Sequence, residues 1–71
     1  MNLTTGEKIK IIMKRQGINM TELAAKVGQS RQNLTNKMTR DNFTEKDMRE
    51  IAAALECEVN VEFRFPDGTV I

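Results

Sequence analysis

Residues 29–42 read Gln-Ser-Arg-Gln-Asn-Leu-Thr-Asn-Lys-Met-Thr-Arg-Asp-Asn, and no acidic side chain occurs from Gln29 to Arg40. These residue types suit one kind of recognition. Amide side chains match an adenine edge bidentately, a guanidinium matches guanine or a phosphate, and Lys and Thr supply contacts to the sugar-phosphate backbone. On a helix turning about 100° per residue, Leu34 and Met38 share one side. Gln32 and Asn36 then point almost directly away from it, Asn33 and Thr35 flank them, and Arg31 and Lys37 lie nearer the rim. An ordinary solvent-facing helix has the same polar look. How the helix is mounted separates the two readings.

The stretch from Asn19 to Met38 predicts two short helices joined by a tight turn. Asn19, with Glu22 three residues on, has the spacing of a capping box. Leu23, Ala24 and Val27 fall on one face, and Gly28 supplies the left-handed conformation that ends a helix cheaply. Ser30 is placed to cap the second helix, over about 30–38, whose only apolar residues are Leu34 and Met38, one turn apart. A helix held by so narrow a stripe offers the rest of its surface to water or to a partner. Together, the preceding helix, the glycine turn and the missing acids favour duplex DNA.

Leu23-Ala24, Val27-Gly28, Ser30 and Leu34, with Ile51-Ala52 and Leu55 further on, carry a resemblance. The chain from about Lys8 to Glu58 resembles the lambda-repressor-like (Cro and repressor type) helix-turn-helix proteins of phages and bacteria. The resemblance implies a compact helical domain that binds duplex DNA as a dimer. Carried over by position, Gln29 to Gln32 open the recognition helix, with Arg31, Gln32 and Asn36 as base readers. Gln29, Ser30, Asn33, Thr35 and Lys37 then serve as backbone or flanking contacts. Arg40 and Asn42 lie where the family tends to touch the sugar-phosphate backbone. There are two departures. Met20 stands where many relatives carry a Gln that braces a phosphate, and a thioether cannot do so. Met13 and Met38 occupy positions where some relatives pair Arg with Glu, so an apolar sulfur-rich contact is expected instead.

Composition sets the bounds. Seventy-one residues allow one small domain, and 39% hydrophobic with 30% charged residues is a globular balance. A single cysteine excludes an internal disulfide, and the absence of histidine argues against structural zinc, so no cofactor is expected. Cys57 reads as a small buried hydrophobe. Nothing resembles a signal peptide or a membrane span, which points to the cytoplasm, on the nucleoid when bound. Net charge is only +1, but residues 1–40 hold eight basic side chains against two acidic ones, and residues 41–71 hold three against eight. That asymmetry suggests a basic face for phosphates and an acidic end turned away.

The remaining segments complete a mainly α, four-helix expectation with a C-terminal β-strand or hairpin. Residues 1–5 read as a lead-in in which Thr4 or Thr5 caps a first helix over 6–16, with Ile9, Ile12 and Met13 inward and Ile11 off the stripe. Gly17 ends it, and Ile18 sits where a staple residue belongs. Phe43 reads as a core plug in the loop after Met38. Thr44 with Asp47 caps a last helix over 45–55, whose buried face is Met48, Ile51, Ala52 and Leu55. From Glu58 the period becomes two: Val59, Val61, Phe63 and Phe65 alternate with polar residues, and Pro66-Asp67-Gly68 signals a turn into Thr69-Val70-Ile71. Two segments are therefore expected, a DNA-binding domain over 1–56 and a β arm over 57–71. The arm either packs on its own helices or pairs Val59, Val61, Phe63 and Phe65 across a two-fold axis to make a homodimer. No nucleophile-and-base pair or phosphate loop suggests an enzyme. The rival to a DNA-binding repressor is an antitoxin or adaptor that binds another protein through the arm.

Overall fold

A computed structural model describes residues 3–71, and four helices follow one another in it: α1 (Thr5–Gln16), α2 (Met20–Lys26), α3 (Arg31–Arg40) and α4 (Glu45–Ala54). Of the lead-in expected over residues 1–5, the first two lie outside the described residues. Each helix starts at a residue whose side chain accepts a backbone N–H from the first turn. Thr4, Asn19 and Thr44 close capping boxes with Glu7, Glu22 and Asp47, and Ser30 accepts from the Asn33 amide at 3.1 Å. Each such cap contributes about 1 kcal/mol, which matters for helices of seven to twelve residues.

The core is one cluster drawn from all four helices: Ile9 and Met13, Leu23 and Ala24, Leu34 and Met38, Ile51, and Leu55 just beyond α4. Leu23, Leu34 and Leu55 are fully enclosed. Met13 and Met38 are both buried, as the apolar replacement of an ion pair requires. Ile18, Met20, Phe43 and Cys57 are half-buried and pack against the cluster, so Met20 serves the core. Ile12, Met48 and Ala52 are also only half-buried, and Ile11 is exposed.

Two backbone features set how α3 meets its neighbours. Gly28 takes φ +70°, and the Gln29 amide donates back to the Ala24 carbonyl at 2.9 Å, so the chain turns sharply between α2 and α3. At Gly6 an added Cβ would lie 3.1 Å from the Met38 carbonyl oxygen, so only glycine lets α1 come this close to the last turns of α3 without displacement. Asp41, in the left-handed conformation that Asp tolerates better than most residues, ends α3, and its carboxylate accepts the Gly6 amide at 2.9 Å. Gln16 donates to the Leu55 carbonyl at 2.6 Å, fastening the far end of α1 to the end of α4.

The expected C-terminal strand is corrected. No β-strand forms among the described residues; an isolated antiparallel bridge, Arg64 with Val70, stands in its place. Phe63 exchanges backbone hydrogen bonds with Ile71 at 2.7 and 2.9 Å, and Asp67 accepts the Thr69 amide at 2.9 Å inside the turn. The return segment Thr69–Ile71 reaches only as far back as Phe63, so residues 58–62 have no strand alongside them. Alternation specifies a strand only where a partner runs alongside, and here the partner spans just residues 63–65, while Val59 and Val61 line a hollow with α1 and α4. Of its four alternating apolar residues, Val59 is half-buried and Val61, Phe63 and Phe65 are exposed, with Phe63 at 75%.

Candidate nucleic-acid interface

The candidate interface lies on α3, which runs two residues past the expected end. Leu34 and Met38 bury one side of it, and Arg31, Gln32, Asn33, Thr35, Asn36 and Arg40 are all exposed. α3 thus displays an uninterrupted polar row. Its first turn carries no acid, whereas α1, α2 and α4 each place a carboxylate there. The partial positive charge of the α3 N-terminus is therefore not offset by a neighbouring carboxylate, an arrangement that suits an anion. Ser30, at that N-terminus, is exposed, as is Asn42 beyond the other end.

Gln29 and Lys37 are the two expected contact residues that are half-buried. Gln29 accepts from the Asn33 amide group at 3.3 Å, a link that orders both side chains at the entrance to the helix. Lys37 is engaged within the protein: its ammonium lies 2.8 Å from Asp47 Oδ1 on α4, with the two side chains 24% and 13% exposed. The other carboxylate oxygen of Asp47 accepts the Thr44 amide at 3.0 Å. One carboxylate thus both caps α4 and ties it to α3. The Thr44–Asp47 cap was legible from spacing, whereas the Lys37–Asp47 pair joins two helices across a loop and left no local signal.

The Lys37 ammonium, and after it the Thr44 amide, hold the Asp47 carboxyl below the ordinary Asp range. A lowered folded-state pKa stabilises the fold at pH values above the unfolded value, and that contribution disappears as pH falls through the folded value. Asp47→Asn should therefore cost about 1 kcal/mol at neutral pH, a modest figure because water reaches the pair. The deficit relative to the parent protein should shrink as pH falls below the ordinary Asp range and through the lower folded-state value. Urea titrations of the two proteins at neutral and at acid pH check this, and a deficit that is constant with pH would contradict it.

A short helix, a glycine turn and a second helix with an outward polar row, braced by α1 and α4, define a helix-turn-helix module. The profile of the Cro/C1-type HTH DNA-binding domain matches residues 8–60 of the chain. The chain belongs to that family. No curated protein and no solved structure matches it. No helix among the described residues is long and apolar enough to cross a membrane.

Proposed function

We propose that the protein is a transcriptional repressor that binds specific duplex sites by laying α3 in the major groove. The observation that carries this is the exposed row on an acid-free helix pinned by Leu34 and Met38. Arg31, Gln32 and Asn36 read base edges. Ser30, Asn33, Thr35, Arg40 and Asn42 bind or flank the phosphates, and Gln29 orients Asn33. Lys37 flanks the row while its ammonium is held on Asp47. Selection of bound duplexes from a random pool, followed by gel shifts over a range of salt concentrations, tests this reading. It expects a defined half-site and affinity that falls steeply with salt; binding with no sequence preference overturns it.

The protein acts as a dimer in this proposal, because a palindromic operator presents half-sites about one DNA turn apart. Val61, Phe63, Phe65, Val70 and Ile71 leave apolar surface on the arm that a second copy would cover. Gel filtration should find the full chain dimeric and a chain lacking residues 58–71 monomeric. A dimer that survives the truncation rules out the arm. A monomeric full chain would favour the second reading, in which the same aromatic surface serves an antitoxin or adaptor by engaging a different protein.

A further inference from the structure

Two apolar side chains one turn apart hold a helix down but leave its rotation about its own axis weakly determined. That rotation decides which side chains face a groove. With about 100° between neighbouring residues, a roll of a few tens of degrees would turn Asn36 and Gln32 toward the rim and bring Thr35 or Asn33 forward. α3 has polar ties at the places where a roll would be felt. At its end, Asp41 holds the Gly6 amide at 2.9 Å, where Gly6 also comes close to the Met38 carbonyl on the apolar side. Off that line, Lys37 reaches across to Asp47 on α4 at 2.8 Å. Asp47 is itself held fast, because its other oxygen accepts the Thr44 amide and its own amide donates to the Thr44 hydroxyl, both at 3.0 Å. A tie displaced sideways from the apolar seam resists rotation as an outrigger does.

We infer that Asp47 is a positioning residue for DNA reading: through Lys37 it fixes the roll of α3 and thereby governs discrimination between sites. This rests on the reading that α3 enters the groove. It assigns Lys37 to aiming the helix, with its phosphate contact at most secondary. A half-buried ion pair that water still reaches adds only modestly to stability, whereas a small change of angle at the reading helix falls on every base contact at once.

The test compares the parent protein with Asp47→Asn, Lys37→Met, the double variant and Lys37→Arg. Affinity is measured for a duplex selected by the parent protein and for a scrambled duplex of the same composition. Asp47→Asn and Lys37→Met should each lower the ratio of the two affinities about five- to tenfold, the scale of degrading one base contact. The double variant should lose no more than either single one, and Lys37→Arg, which can still reach the carboxylate, should restore the ratio. Two results overturn the inference. One is an unchanged ratio in Asp47→Asn. The other is an equal loss on both duplexes in Lys37→Met with a salt slope reduced by about one, which marks a plain phosphate contact. A parent protein that binds no duplex defeats the DNA-reading proposal instead. Residual dipolar couplings then judge the positioning role: the α3 amides should rotate relative to those of α4 in Asp47→Asn, and an unchanged orientation overturns it.

Discussion

Leu34→Ala should remove about 2–5 kcal/mol of stability, the largest effect of any single substitution on α3. Leu34 is fully enclosed and belongs to the cluster that all four helices share. Truncating it loses the transfer energy of the removed atoms and leaves a cavity that a close-packed domain only partly closes. Small domains hold about 5–15 kcal/mol in total, and one of 71 residues sits toward the lower end, so a substantial unfolded fraction is expected at moderate temperature. Leu34→Met keeps the volume and should cost less than about 1.5 kcal/mol. Urea unfolding of the three proteins measures this. A deficit under about 1 kcal/mol for the alanine variant would mean that α3 is not anchored by this residue.

Replacing Arg31, Gln32 and Asn36 together by alanine should do the reverse: leave the fold intact and erase site preference. All three side chains are exposed, and none forms a hydrogen bond or ion pair within the described residues, so the summed change in stability should stay near 1 kcal/mol or below. Each well-formed base contact is worth about 1–3 kcal/mol of discrimination, so the triple variant should lose at least a factor of about a hundred on the selected duplex. Its affinity for scrambled DNA should fall far less, and only the loss of Arg31 should reduce the salt slope. Competition gel shifts with the two duplexes decide it. Equal losses on both would reassign the three residues to general electrostatic attraction.

Legibility from sequence followed the range of each interaction. The caps at Asn19, Ser30 and Thr44 and the turn at Gly28 are decided within four residues, so spacing alone located all four helices to within a residue or two. Leu34 and Met38 were legible as the buried pair for the same reason, and with them the exposed row opposite. What remained hidden spans the fold: Gly6 with Asp41, Gln16 with Leu55, and Lys37 with Asp47. Residue types advertise none of these, because a helical glycine, a surface glutamine and a surface lysine have many harmless uses. The arm failed in the other direction. Val59 through Phe65 have a strand's alternation, yet pairing is a property of two segments, and the second is too short to meet the first along most of its length.

The link from Gly6 to Asp41 has a practical side. It sews the first turn of α1 to the end of α3, across 35 positions of sequence. Anything grafted ahead of Thr4, whether a purification handle or a reporter, therefore tugs on the same stitch that steadies α3. Handles on this protein belong behind a cleavable joint, and site preferences are best taken after the cut.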